Sequence, residues 1–479
     1  MNYQNQLQTR IGLERSAVEL IRLLGHLLYE KSVELVLLRQ HLLNKSVSEV
    51  LNLHDYASQL VAQQITVTRS VEIAQILVQL DLAPAKIDIG KLALQFLAEN
   101  PQNLSLEDFV KNRLAKFLDK TSFNLKPKDV ILFGFGRIGR ILARELVRQA
   151  GSGQQLRLRA IVTREVNPSE LVKRAALLRN DSVHGSFKGS VEVDEAHCAL
   201  IINGQPVLML AAPKPEEIDY TAYGIQNALL IDNTGVYKDK QALSRHLAAK
   251  GVSKVILTAP GKGIPNVVYG INHQHLDLEN DSIFSAASCT TNAICPILHV
   301  MEKQFGIAQG HIETVHAYTN DQNLLDNMHS KPRRGRSAAI NMVITSTGAG
   351  EAVTQVIPEL AGKLTANSVR VPTPNGSLAI ISLTLKQTVD LQQVNDAVRS
   401  ASLEGELVNQ IYYSIDPELV SSDIIGNTRC SVFDSCATLI SDDKKSVVLY
   451  TWYDNEFGYS KQVIRLAKHV AKVRRLLYY

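Results

Sequence analysis

Ser288-Cys289-Thr290-Thr291-Asn292 sets one thiol among three hydroxyl side chains. A strand-like stretch, Ser282 to Ala287, precedes it, and an apolar run, Ala293 to Leu298, follows. This order predicts strand, tight turn and helix, with Cys289 at the helix start. Unpaired N–H groups and the partial positive charge of a helix N-terminus favour a thiolate there. A lone cysteine is more often a small, inert core residue; the surrounding hydroxyls weigh towards a reactive one. Thr314-Val315-His316-Ala317-Tyr318-Thr319 puts a histidine at the end of another strand-like run. Near neutral pH an imidazole can take and return a proton, and beside a cysteine it can stabilise the thiolate. Cys289 and His316 are therefore the candidate catalytic pair.

Three segments offer groups for anions. Ser346-Thr347-Gly348-Ala349-Gly350 precedes an apolar helical run, and hydroxyls with backbone N–H groups at a helix start suit phosphate. Arg370 lies in Val369-Arg370-Val371-Pro372-Thr373-Pro374, which proline stiffens. Lys331-Pro332-Arg333-Arg334-Gly335-Arg336 is a basic loop; most such runs are simply solvated.

Gly134-Phe135-Gly136-Arg137-Ile138-Gly139 follows the apolar strand Val130 to Phe133 and opens an amphipathic helix from Arg140. In that context GxGxxG is a strong dinucleotide signal. Gly134 permits the turn, Gly136 lets backbone approach a pyrophosphate, and Gly139 lets helix and strand pack closely. The next strand ends at Thr163-Arg164, where NAD enzymes usually carry an acid that binds the ribose hydroxyls. With a cation instead of that acid, repulsion of a 2′-phosphate is absent, so NADP acceptance beside NAD is expected.

The elements that must position these groups fall into three blocks. Residues 1–125 are Leu-rich and nearly free of glycine. Ala17, Leu20, Ile21, Leu24, Leu27 and Leu28 recur at helical spacing, as do Leu35, Leu38 and Leu42, and Val71, Ala74, Leu77 and Val78. Asn103-Leu104-Ser105-Leu106-Glu107-Asp108 reads as a helix start with acids in its first turn. An all-α N-terminal domain without a catalytic constellation is expected. Residues 126–288 alternate short apolar runs with amphipathic stretches, which indicates βαβ units: a Rossmann-type parallel-sheet dinucleotide-binding domain, completed by the C-terminal helix 452–479. Residues 289–451 turn two-periodic, as in Ser377 to Leu385, so an α+β catalytic domain with a mixed or antiparallel sheet is expected.

Bulk properties exclude several classes. A net charge of +4 over 479 residues gives no reason to expect nucleic acid or an acidic membrane as the main partner. Cys198, Cys289, Cys295, Cys430 and Cys436 form no CxxC pair and no zinc-like cluster, so neither a disulfide framework nor a metal site is expected. No secretory leader or apolar run of membrane-spanning length is seen, and a reducing cytoplasm fits best.

From about Val130 to Tyr479 the chain resembles phosphorylating glyceraldehyde-3-phosphate dehydrogenases. The resemblance rests on the stretches named above together with Asp181-Ser182-Val183-His184-Gly185, His316-Ala317-Tyr318-Thr319-Asn320-Asp321-Gln322 and Trp452-Tyr453-Asp454-Asn455-Glu456-Phe457-Gly458-Tyr459-Ser460. It implies that Cys289 attacks the aldehyde of D-glyceraldehyde 3-phosphate and that His316 takes the hydroxyl proton as hydride leaves. Inorganic phosphate then releases the thioester as 1,3-bisphosphoglycerate. It implies that Thr319 and Arg370 hold the substrate phosphate. Ser288, Thr290, Thr347 and Gly348 would hold the incoming phosphate, with help from Arg336. Arg137 and Ile138 would lie at the pyrophosphate, Thr258 at the cofactor, and Asn455 at the nicotinamide carboxamide. A homotetramer acting in glycolysis or gluconeogenesis is implied. Arg164 and the N-terminal extension depart from the family pattern; the extension could bind a partner, modify the oligomer or stabilise the chain. Erythrose-4-phosphate dehydrogenase is the near alternative, disfavoured by Thr319 and Thr347-Gly348. A regulatory or scaffold protein on a dehydrogenase fold is the alternative of another class, disfavoured by the intact Cys289, His316 and Asn455.

Overall fold

The computed structural model describes residues 2–99, 104–119, 123 and 125–479. The chain divides into two compact units. The first comprises residues 1–127, 150–155 and 473–479; the second holds residues 128–149 and 156–472.

The first unit is rich in helix: α1 (Tyr3–Lys31), α2 (Val47–Leu60), α3 (Val67–Gln79), α4 (Ile89–Ala98) and α5 (Leu106–Arg113). The expected Leu stripe of α1 is its core face, with Ala17, Leu20, Leu24, Leu27 and Leu28 buried. Capping follows the sequence: Ser46 and Glu49 form a capping box on α2, and Ser105 caps α5 with Glu107 and Asp108 in its first turn. Asn103 of that predicted start lies outside the described residues.

The unit also carries a four-stranded sheet, in the order Gln40–His41, Glu34–Leu37, Ala85–Asp88, Leu476–Tyr478. Leu35, Leu38 and Leu42 are thus not a helical stripe. Leu35 lies in a strand, Leu38 in the turn after it, and all three are buried. A short continuous apolar run suits a buried strand as well as a helix, so its spacing misleads. The turn places Leu38 and Arg39 at φ 41 and 68. The fully buried Asp88 carboxylate accepts both of their backbone N–H groups, at 2.9 and 2.7 Å, and the Arg39 guanidinium at 2.9 Å. The C-terminal strand Leu476–Tyr478 pairs in parallel with Ala85–Ile87. Residues 473–479 therefore belong to this unit, and the C-terminal helix of the second unit, α12, spans only Phe457–Val470.

In the second unit an eight-stranded sheet runs Ile283–Ser285, Val252–Leu257, Ala228–Asp232, Lys128–Phe133, Leu156–Thr163, Gln205–Ala211, Ala199–Ile202, Val191–Asp194. The first six strands are parallel, and Ala199–Ile202 pairs antiparallel with both of its neighbours. Helices α6 (Arg137–Arg148), α7 (Pro168–Arg179) and α8 (Lys240–Ala248) accompany it. The strand Lys128–Phe133 has Leu156–Thr163 on one side and Ala228–Asp232 on the other. That reversal is a topological switch point, where a crevice opens beyond the carboxyl ends of the strands. Gly134, Arg164, Asn233, Thr258 and Cys289 all follow the carboxyl ends of strands in this sheet.

The second sheet runs Val343–Thr345, Leu364–Val371, Ile307–Ala317, Ser377–Leu385, Ser446–Tyr453, Ser431–Asp434, Ile411–Ser414, with parallel and antiparallel pairs. Ser377–Leu385 alternates strictly between buried and half-buried residues, as its two-periodic sequence predicts. Helices α9 (Cys289–Phe305), α10 (Ala349–Val356) and α11 (Leu391–Leu403) belong to this half. α9 is almost wholly buried from Thr290 to Met301 and packs against four strands of the sheet, which makes the helix that carries Cys289 a rigid core element.

Candidate active site

Cys289 opens α9. Ser288 is its N-cap, and its Oγ accepts the Thr291 N–H at 3.0 Å. His316 ends the strand Ile307–Ala317, in register with Arg370 on the parallel strand beside it. These placements bring Cys289 Sγ to 3.6 Å from His316 Nε2. His316 Nδ1 lies 2.7 Å from the Ala317 carbonyl and 3.0 Å from Arg370 Nη1, which itself donates to that carbonyl at 2.8 Å. With Nδ1–H donating to Ala317, Nε2 is left as the acceptor for the thiol proton.

The electrostatics differ from the helix-start argument. Burial pushes the Cys289 thiol above its ordinary pKa; Arg370 and the Thr290 hydroxyl and N–H pull the other way without prevailing. Burial, and after it the Arg370 charge, drives the His316 pKa down to about 3. The resting pair is a neutral thiol beside a neutral imidazole, so His316 is free to act as a base rather than stored as imidazolium.

Both residues line a cavity of about 460 Å³. Lys262, Lys331, Arg334 and Arg370 supply its positive charge, and Ser288, Thr290, Thr347 and Gly348 also line it. Gly348 precedes α10 and provides no capping side chain; Thr347 Oγ1 accepts the Ala349 N–H at 3.2 Å, and the Gly350 and Glu351 N–H groups keep anion-binding capacity. The Nε of Arg370 is buried without a hydrogen-bond partner among the described residues. Two of the expected residues stand apart. Arg336 is exposed, pairs with Asp326 at 2.9 Å and does not line the cavity; Arg334, two residues earlier in the same basic loop, turns in instead. Thr319 lies two residues beyond its strand and outside the cavity lining. Arg334 and Lys331 are held by Thr345 Oγ1 at 3.0 Å and Ser346 Oγ at 3.2 Å. The basic composition of the loop announced such cations without saying which of them would face inward.

The glycine turn fits a dinucleotide. Gly134 has φ +96, and a Cβ at Gly139 would stand 2.5 Å from the Gly134 carbonyl oxygen, so only glycine permits this helix–strand approach. Gly136 caps α6 with no side chain, and no atom lies within 4 Å of where its Cβ would be. No side chain caps the first turn, and backbone can approach closely at Gly136, as a pyrophosphate requires. Ile138 is half-buried in that turn. The Arg137 guanidinium is taken up by Glu456 and Asp181, and His184 Nε2 reaches Glu456 at 2.8 Å. Asp181 and His184, from the stretch whose role the sequence left open, thus tie the glycine turn to the segment that carries Asn455. Asn455 is buried, its carbonyl engaged by Ser377 Oγ at 2.9 Å, which leaves the amide NH₂ as donor. Thr258 Oγ1 donates to the Asp232 carbonyl at 3.0 Å. Asn233 and Thr234 pack against Gly134 and join the candidate cofactor contacts; their place after a parallel strand was the available signal. Arg164 is exposed and has no ion-pair partner among the described residues.

Among the described residues no group of three or more His, Cys, Asp or Glu side chains is arranged to hold a metal, and no helix is long and apolar enough to cross a membrane.

Residues 128–240 match the family described as glyceraldehyde 3-phosphate dehydrogenase, NAD binding domain, and residues 288–455 match its C-terminal domain. A glyceraldehyde-3-phosphate dehydrogenase-like protein of Pseudomonas aeruginosa is 46% identical over 95% of this chain and 98% of its own length, so the similarity reaches well into the N-terminal unit. Glyceraldehyde-3-phosphate dehydrogenases of Zymomonas mobilis and Clostridium pasteurianum are 37% and 36% identical over 72% of this chain, and the match spans 98% and 99% of their own lengths.

Proposed function

The chain belongs to the glyceraldehyde-3-phosphate dehydrogenase family and is an NAD-dependent oxidoreductase acting on an aldehyde group; we propose that it converts D-glyceraldehyde 3-phosphate and inorganic phosphate to 1,3-bisphosphoglycerate. The observation that carries this reading is the Cys289–His316 contact inside a cavity lined by four cationic side chains and a helix start. A substrate with its own phosphate and a second, attacking phosphate both need such surroundings.

Cys289 sulfur bonds to the aldehyde carbon, and the thiol proton passes through His316 Nε2 to the carbonyl oxygen. His316 then removes that hydroxyl proton as hydride leaves carbon, which makes a thioester on Cys289. NAD, when bound, supplies the hydride acceptor. A phosphate oxygen attacks the thioester carbon, the C–S bond breaks, and sulfur regains the proton held on His316. The Cys289 N–H at the start of α9, together with protonated His316, stabilises the developing oxyanion. Arg370 holds the substrate phosphate, and Ser288, Thr290, Thr347 and Gly348 with Arg334 hold the incoming one.

The exposed Arg164, without an ion-pair partner among the described residues, supports acceptance of NADP beside NAD. Leu324, Leu325, Met328, Ile340, Met342 and Ile344 are all strongly exposed within one short segment, which supports a homo-oligomer, read as a tetramer, that covers them. Five free cysteines fit a reducing cytoplasm. Steady-state turnover with D-glyceraldehyde 3-phosphate tests the reading: it requires inorganic phosphate and yields an acyl phosphate. Turnover that ignores phosphate and releases the free acid, or a higher kcat/KM for the four-carbon aldose phosphate, contradicts it.

A further inference from the structure

We propose that Tyr459 is a positioning residue: its hydroxyl clamps the left-handed Ala287 peptide and thereby aims Cys289 at His316. Ala287 is a buried non-glycine residue at φ +53, two residues before the nucleophile. An alanine holds that conformation only where its surroundings over-determine it. Here they do. The Ala287 N–H donates to Ser285 Oγ at 2.9 Å, and its carbonyl accepts the Tyr459 hydroxyl at 2.9 Å. Asn292 Nδ2 spans the flanking carbonyls of Ala286 and Ser288, each at 2.9 Å. Ser285 Oγ is itself anchored near the Ala259 carbonyl and Asn266 Oδ1.

Of these anchors Tyr459 alone comes from α12, far along the chain from the turn it holds. Its ring is buried, so the hydroxyl has one fixed task. If the Ala287 peptide relaxed towards the right-handed side, Ser288 would leave its capping position and Cys289 would turn away from Nε2. The strain is stored where a small rotation displaces the sulfur most.

The inference rests on the reading of Cys289 as the acyl-carrying nucleophile, and its test needs no substrate. The test is the rate of iodoacetamide alkylation of Cys289 in the cofactor-free protein as a function of pH. Tyr459→Phe, checked for folding by circular dichroism, is expected to move the midpoint up by about half a pH unit or more. It also lowers kcat roughly tenfold while both KM values stay within about threefold. Adding Ala287→Gly to Tyr459→Phe restores at least half of the loss, because glycine adopts positive φ without the clamp. Ser285→Ala, which removes the anchor on the other side of the same peptide, shifts the midpoint in the same direction. A wild-type alkylation profile in both Tyr459→Phe and Ser285→Ala, or a double variant no better than Tyr459→Phe alone, overturns the proposal. Loss of triose phosphate turnover with an unshifted alkylation profile would count against the clamp and leave the reaction assignment standing.

Discussion

Arg370 Nη1 stands 3.0 Å from His316 Nδ1, on parallel strands that hold the two residues in register. The cation of the anion site therefore presses directly on the base. Burial first, and this charge after it, keep the imidazole neutral, while on the other side the charge pulls against the burial that keeps Cys289 a thiol. A phosphate bound to Arg370 would offset that charge and raise the basicity of His316 once substrate has arrived. Arg370→Met should lower kcat/KM about tenfold to hundredfold, the value of one charge-assisted hydrogen bond of about 1.5–3 kcal/mol. It should also move the alkylation midpoint of Cys289 upward. A downward shift would show that Arg370 does not assist the thiolate.

The same burial makes His316 an acid-sensitive element of the fold. Its pKa is about 3 in the folded state, against an ordinary value near 6.5 in the unfolded chain. Between those limits the unfolded chain binds the extra proton, so stability is intact above about pH 6.5 and falls as pH drops towards 3. The slope from this one group approaches 1.4 kcal/mol per pH unit. His316→Asn should therefore lose less Tm between pH 7 and pH 5 than the wild type, while kcat falls roughly 10²–10⁴-fold. Equal Tm losses would mean the imidazole is already solvated.

Cys289, His316 and the Gly134–Gly139 turn were legible because each declares its chemistry through its immediate neighbours. What stayed hidden depends on contacts distant in sequence. Arg334 enters the cavity and Arg336 leaves it because Thr345 and Asp321 hold one and Asp326 holds the other. The direction of the Cys289 pKa depends on burial under tertiary structure, which overrides the local helix-start effect. Leu35, Leu38 and Leu42 fit a helical spacing, yet they sit on a strand and turn completed by residues from the far end of the chain.

Gly139 tests the close approach in the glycine turn. A methyl there would meet a backbone oxygen at 2.5 Å, and backbone cannot swing aside as a flexible side chain does. Gly139→Ala should cost about 1–3 kcal/mol of stability, the usual range for overpacking. It should weaken NAD binding more than aldehyde binding. Calorimetric titration with NAD checks this, and unchanged affinity would show that the turn relaxes freely.

Arg164 tests the cofactor reading by charge alone. It is exposed and has no ion-pair partner among the described residues, so Arg164→Asp removes a cation and adds an anion without disturbing an ion pair seen there. The ratio of kcat/KM for NADP over NAD should fall at least tenfold, mostly through the KM for NADP. A strong NAD preference in the wild type, unmoved by the substitution, would place Arg164 in solvent.

The C-terminal strand makes a prediction about truncation. Leu476–Tyr478 pairs with Ala85–Ile87, and Arg475 lies 3.4 Å from the half-buried Glu34, which Lys86 and His41 also contact at 3.2 and 2.9 Å. Lys91 donates to the Tyr479 carbonyl, and the Arg39 guanidinium sits 5.6 Å from the Tyr479 ring centroid. Deleting residues 1–127 strips every one of these partners and leaves Leu476, Leu477 and Tyr478 as an uncovered apolar edge, a template for aggregation. A chain of residues 128–479 should therefore elute with a large aggregate fraction in size-exclusion chromatography with light scattering. A chain of residues 128–472 should elute as a defined oligomer and keep more dehydrogenase activity per milligram. If both behave alike, the tail contributes nothing that the first unit needs to cover.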